Sequence, residues 1–133
     1  MFKELQLKTR SRAELADITQ ALQAYLQEMK AGSGLLTVFV PHTTAGVTIN
    51  ENADPDVMGD ILAFTSKLIP EDAGFRHSEG NSDAHIKSSL FSPSLTLLVE
   101  DGRLLLGAWQ GVYFAEFDGP RSRKVWLKYT PDR

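Results

Sequence analysis

The last third of the chain restricts the fold more than any other stretch. Leu95 to Glu100 and Arg103 to Trp109 are β-type runs flanking Asp101-Gly102, a dipeptide that takes the positive φ angles of a two-residue hairpin turn. Val112 to Phe117 and Lys124 to Tyr129 then flank a second turn segment containing Asp118-Gly119-Pro120. Tight turns of this kind join antiparallel strands, whereas parallel strands need crossovers of a dozen or more residues. A doubly wound parallel sheet is therefore disfavoured. The expected fold is α+β and largely antiparallel.

The earlier elements fit that class. Phe2 to Thr9 reads as a strand with Leu5 and Leu7 on one face. Ser11-Arg12-Ala13-Glu14 has the form of a capping box, and Leu15, Ile18, Leu22, Tyr25, Leu26 and Met29 follow as an apolar helical stripe,. Gly32 and Gly34 are expected to end that helix. Leu35 to Val40 and Gly46 to Asn50 read as strands. Asp54-Pro55-Asp56 has the chemistry of a helix N-terminus: an Asp cap, Pro at the first helical position and a second acid in the first turn,. Val57, Ile61, Phe64 and Leu68 would be the buried face of this second helix, and Pro70 its stop. Residues 71–81 read as a polar loop, and a short helix follows from near Ser82 to about Leu90.

The chain has 133 residues, enough for a single domain spanning 1–133 with one core,. Lys plus Arg is 14 and Asp plus Glu is 17, a net charge of −3 that argues against a dedicated nucleic-acid binder,. A phosphorylated small molecule is compatible, because a few placed Arg or backbone N–H groups suffice to hold one. No cysteine occurs, so any metal must use nitrogen or oxygen ligands,. No apolar run approaches the roughly 18 residues of a membrane-spanning helix, and Met1-Phe2-Lys3-Glu4-Leu5 lacks a signal-peptide core,. A cytoplasmic protein with no membrane partner is the expectation.

Candidate chemistry gathers around His42, His77 and His85, each set among other polar residues. Three imidazoles and a water make an open zinc site, with Glu51, Asp54, Glu79 or Asp83 able to orient the rings. No His-Glu-x-x-His helix is present, so such ligands must converge through the fold. The spacing serves equally well for histidines that merely hydrogen-bond at the surface. Gly80-Asn81-Ser82-Asp83 opens the short helix, where N–H groups suit an anion, or where Ser82 or Asp83 simply caps,. Thr43 and Thr44 offer hydroxyls to a ligand or to a turn, and Gly46 would let a ligand approach the backbone. Arg121 could clamp a phosphate, although Arg121 and Arg123 equally suit solvated turn charges. Trp109 and Trp126 are read as core or subunit-interface residues. There is no Gly-x-Ser-x-Gly elbow, so a hydrolytic triad is disfavoured.

Three collinear stretches carry a more specific resemblance. They are Pro41-His42-Thr43-Thr44-Ala45-Gly46-Val47-Thr48-Ile49-Asn50-Glu51-Asn52-Ala53-Asp54-Pro55-Asp56-Val57, then His77-Ser78-Glu79-Gly80-Asn81-Ser82-Asp83-Ala84-His85-Ile86-Lys87, and Asp101-Gly102-Arg103-Leu104 with Gly107-Ala108-Trp109-Gln110 and Glu116-Phe117-Asp118-Gly119-Pro120-Arg121. Together the chain resembles the YjbQ-like family, also described as secondary thiamine-phosphate synthases. The resemblance implies a largely antiparallel β-sandwich with two main helices that assembles as a homotrimer, and a polar site where His42, His77 and His85 approach one another. It also implies a divalent metal, zinc or magnesium, and a weak transferase joining a pyrimidine diphosphate to a thiazole phosphate with release of pyrophosphate. On that basis Glu51 and Asp83 are candidate catalytic groups. Thr43, Thr44, Asn81 and Arg121 are candidate substrate or phosphate contacts, and the three histidines are candidate metal ligands. Family members often carry Cys where this chain has Ala115, so a thiol mechanism is excluded here. The contrasting expectation is a non-enzymatic trimer that binds a metal or ligand without turnover.

Overall fold

A computed structural model describes residues 2–133. The chain runs β1 (Phe2–Lys8), β2 (Glu14–Asp17), α1 (Thr19–Glu28), β3 (Gly34–Phe39), β4 (Ala45–Glu51), α2 (Pro55–Leu68), α3 (Ser82–Phe91), β5 (Ser94–Glu100), β6 (Arg103–Leu104), β7 (Gln110–Glu116) and β8 (Ser122–Pro131). The strands form two antiparallel sheets, one in the order β1-β8-β3-β5-β6 and a smaller one in the order β2-β7-β4. The mixed, antiparallel α+β class is as expected, and the short helix expected from near Ser82 is α3.

Alternation decides how the larger sheet packs. Along β3 and β8 every second side chain is buried: Leu36 and Val38 on one strand, Val125 and Leu127 on the other. These meet Val47 of β4, Val112 and Phe114 of β7, and Leu22, Tyr25 and Leu26 of α1 in one core cluster. A strand's period of two puts one such set on each face, so a single apolar phase suffices to glue the layers together.

Several local expectations give way to tertiary pairing. The capping box does not cap a helix. Glu14 instead accepts the Arg10 and Ser11 N–H groups at 2.6 and 2.9 Å, and residues 14–17 pair with β7 as a strand. The helix begins at Thr19, beside Asp17, whose carboxylate takes the Thr19 N–H at 2.9 Å. Its C-terminus is a Schellman turn with Lys30, not glycine, at φ 52°. The Lys30 N–H donates to the Gln27 carbonyl and the Ala31 N–H to that of Leu26,.

Asp54 caps α2 as expected, accepting the Asp56 N–H at 2.9 Å ahead of Pro55. The apolar stripe of α2 departs from expectation. None of its residues is buried, and Phe64 and Leu68 are 63% and 61% exposed. Asp101 and Gly102 take φ of 48° and 80° and join β5 to β6 as the expected hairpin. The strand expected over Arg103–Trp109 stops at Leu104, and Trp109 is 66% exposed, which removes the core half of its core-or-interface reading. The second turn, unlike the first, does not make a hairpin, since β7 and β8 belong to different sheets. That crossing turn, residues 117–121, carries chemistry from one sheet to the other. No helix among the described residues is long and apolar enough to cross a membrane.

Candidate functional site

Three segments meet at one end of the molecule: the β3–β4 loop, the start of α3, and the turn between β7 and β8. The Ser88 hydroxyl donates to the Thr43 carbonyl at 2.6 Å and so ties α3 to the β3–β4 loop. Between the segments lies a cleft of about 570 Å³ whose polar wall holds His42, Thr43, Thr44, Glu79, Asn81, His85, Asp118, Arg121 and Arg123. Phe39, Val40, Pro41 and Pro93 form its apolar side. Six of the nine residues singled out from the sequence as site candidates therefore share one wall: His42, Thr43, Thr44, Asn81, His85 and Arg121.

Behind the wall lies a buried ionic frame. Glu116, fully buried, accepts the Thr9 hydroxyl at 2.7 Å, Nε of Arg123 at 2.8 Å, Nη2 of Arg123, and the N–H groups of Phe117 and Asp118 at 3.0 Å each. Burial alone would raise its pKa. The Arg123 guanidinium, the Thr9 hydroxyl and the Asp118 N–H outweigh that and hold it below the ordinary carboxylate value,. Arg123 also reaches the Thr44 hydroxyl at 2.9 Å. A second group of ions centres on Asp118, which takes Asn81 Nδ2 at 2.8 Å, Arg121 Nη2 at 3.0 Å and Arg12 Nη1 at 3.3 Å.

The remaining candidates are placed differently. Asp83 is fully buried, with one oxygen on Arg12 at 2.9 Å and the other on Lys87 at 3.1 Å, so both are spent on structure and it does not line the cleft. Glu51 lies at the end of β4, where its carboxylate takes the Asp54 N–H at 3.1 Å ahead of α2, also off the cleft wall. Neither is positioned for the catalytic role expected of it. His77 does not line the cleft but meets His85 edge to face, ring centroids 5.5 Å apart.

The expected metal triad is not assembled. Among the described residues no three or more His, Asp or Glu side chains gather as a metal-holding group. The physical reason is clearest at His42, whose Nε2 accepts the Lys124 N–H at 2.9 Å. That bond occupies the Nε2 lone pair and leaves the ring proton on Nδ1, so neither nitrogen is offered to a cation. Burial, then the charge of Arg123, keeps the His42 pKa below its ordinary value and the ring neutral.

Sequence reasoning misses Arg12 and Glu116, reads Asp118 only as an acid in the turn beside Arg121, and leaves Arg123 as a solvated charge. A signal for Arg123 is nonetheless present: it shares the strand phase of Val125 and Leu127, both buried. A cation in the inward phase of a strand needs a buried counter-charge.

The pattern of the family described as UPF0047 protein YjbQ-like matches residues 3–132. A UPF0047 protein of Methanocaldococcus jannaschii is 53% identical over 133 residues, covering 100% of this chain and 96% of that protein. UPF0047 protein YugU of Bacillus subtilis is 53% identical over 129 residues, covering 96% of this chain and 98% of the relative. The crystal structure of an uncharacterized YjbQ/UPF0047 family protein from Clostridium acetobutylicum superposes with a TM-score of 0.94 at 50% identity, covering 96% of this chain and 99% of that one. These relatives are described by family alone and none is named for thiamine-phosphate synthesis. Together with the unassembled metal triad, this overturns the metal-dependent thiamine-phosphate synthase expected from the resemblance. What the whole-length matches do establish is descent: the chain belongs to the YjbQ-like UPF0047 family.

Proposed function

We propose that the cleft binds a small polar molecule bearing an oxyanion, a phosphate or a carboxylate. One observation carries this reading. Asn81 is 7% exposed and lines the cleft, yet its Oδ1 is a buried acceptor without a hydrogen-bond partner among the described residues. An unmade hydrogen bond at a buried amide costs about 1–3 kcal/mol. A site tolerates that cost when a ligand supplies the missing donor. The surrounding donors are fixed before any ligand arrives: Arg123 by Glu116, Arg121 by Asp118, and His42 by the Lys124 N–H. Donors positioned in advance lose little entropy on binding.

His85 lines the same wall, and its imidazole makes no hydrogen bond to the described residues. It is the group free to exchange a proton with a bound molecule, so acid–base turnover is the activity we propose for the cleft. Binding is tested by calorimetric titration of the purified chain with inorganic phosphate and with small phosphate and carboxylate monoesters, beside Asn81→Ala. Binding to the wild type that falls about tenfold or more in Asn81→Ala supports the reading. Absence of binding across the series refutes it.

The exposed apolar side chains of α2 and of the segment after β6, Phe64, Leu68, Leu105 and Trp109, support assembly into a homotrimer,. A closed ring of copies would cover them. Light scattering should give three times the chain mass, and a concentration-independent monomer would refute it. A cytoplasmic address completes the proposal, since a chain without cysteine makes no use of an oxidising compartment,.

A further inference from the structure

Two cations line the cleft, and they are held differently. Arg121 is half exposed and spends Nε on the Asp118 carbonyl and Nη2 on the Asp118 carboxylate. Arg123 has a side chain only 5% exposed, with Nε and Nη2 engaged by Glu116 and Thr44. Its Nη1 donates to no group among the described residues, although the residue lines the cleft. The guanidinium is thus clamped from behind by a fully buried carboxylate and keeps one nitrogen, with two N–H donors, for whatever enters.

The wall as a whole is not positive. Arg121 and Arg123 are balanced by Glu79 and Asp118. A polyanion would gain little from such a wall and would meet two carboxylates. A small molecule combining one oxyanion with a hydrogen-bond donor matches both halves. Resting on the oxyanion reading above, we infer that the ligand is bipolar: its oxyanion docks on Nη1 of Arg123 while a hydroxyl or protonated amine of the same molecule donates to Oδ1 of Asn81, after a rotation of the Asn81 side chain that exposes this solvent-inaccessible oxygen to the cleft. Glu116 is the positioning residue that aims Arg123. Selectivity comes from the pairing of a fixed donor with an orphaned acceptor, not from net charge.

Nuclear magnetic resonance titration of the full chain with three probes tests this: inorganic phosphate, glycerol phosphate and phosphoethanolamine. The two donor-bearing probes should bind about tenfold tighter than inorganic phosphate, the worth of one added hydrogen bond. Their relative affinity tells hydroxyl from amine. Both should shift the Arg123 guanidinium and Asn81 side-chain amide resonances. In Asn81→Ala the advantage over inorganic phosphate should vanish. Arg123→Lys keeps a cation opposite Glu116 but shortens the reach, and should weaken all three probes by about tenfold or more, beyond the loss in Arg121→Gln. Should Arg123→Lys fail to fold, the wild-type guanidinium shifts decide alone. Equal affinities for the three probes overturn the inference while the oxyanion reading stands, as do shifts at Arg121 with Arg123 unmoved. No binding by any probe overturns both.

Discussion

Replacing Glu116 by Gln removes one charge from the frame behind the cleft while nearly preserving shape. The carboxylate takes the Thr9 hydroxyl and Arg123 Nε on Oε1, and Arg123 Nη2 with the Phe117 and Asp118 N–H groups on Oε2. Glutamine presents an NH2 group in place of one oxygen, so in either orientation donors face a donor. Arg123 is then left as a buried cation without a counter-charge, and breaking such a pair from one side costs about 3–5 kcal/mol. With an unfolding entropy of about 2.1 cal/mol/K per residue, a chain of 133 residues changes by roughly 0.28 kcal/mol per degree, so the melting temperature should fall by about 10–18 °C,.

Thermal and urea unfolding of the wild type, Glu116→Gln, Arg123→Met and the double variant provide the measurement. The double variant should be less damaged than the sum of the single ones, with a coupling of about 1–3 kcal/mol, because it leaves no lone charge inside. A Glu116→Gln protein melting within about 3 °C of wild type, or a coupling near zero, would refute the claim that the pair is buried and mutually dependent.

Two further outcomes follow from local geometry. Lys30→Gly relieves a left-handed conformation in a lysine at φ 52° and should stabilise the chain by about 0.5–1 kcal/mol, read as a raised urea midpoint at unchanged slope,. For His42 the sign is set by its depressed folded pKa: the unfolded chain binds more protons between that value and 6.5, so stability falls on acidification below 6.5 and levels off once the folded ring protonates,. Glu116, also depressed, adds a separate loss that begins near 4.5, and His42→Gln should flatten only the upper of the two slopes in a urea series across pH,. An unchanged upper slope would contradict the assignment.

Features decided by a residue's own conformational chemistry are legible in the sequence. Asp101-Gly102 turns because both residues tolerate positive φ, and Asp54-Pro55 starts a helix because the cap and the fixed φ act within one turn,. Features decided by a distant partner are not. Ser11 to Glu14 carries every local requirement of a capping box, yet Leu15 and Ala16 pair with Ala115 and Phe114 of β7. One extended neighbour outweighs a few tenths of helix propensity per residue. The same limit applies to β7 and β8, since turn chemistry specifies that the chain reverses and not which sheet receives it. For α2 the periodicity correctly locates an apolar face, but amphipathicity reports a need for cover rather than its source,.

The cleft shows how chemistry hides in a strand. His42, Thr43, Thr44, Asn81, His85 and Arg121 are visible as polar residues in turns, and loops are where such residues stand out,. Glu116 and Arg123 are hidden because each sits inside a β run whose apolar neighbours explain the strand without them. For Arg123 the burial is nonetheless written in the phase, since it falls two and four residues before the inward Val125 and Leu127, whereas β7 is buried on both faces from Gly111 to Glu116 and its pattern gives Glu116 no such signal,. An inward charge without a partner would cost several kcal/mol, so two inward charges of opposite sign on different strands demand each other. Applied to β8, that rule asks for a buried acid opposite Arg123, and the fold supplies Glu116 of β7, joining the two sheets at the end where the cleft opens. The histidines, by contrast, satisfy the same spacing whether they bind a metal or accept a single backbone N–H. Only the Lys124 contact at His42 Nε2 separates those cases, and it belongs to a strand 82 residues away in sequence.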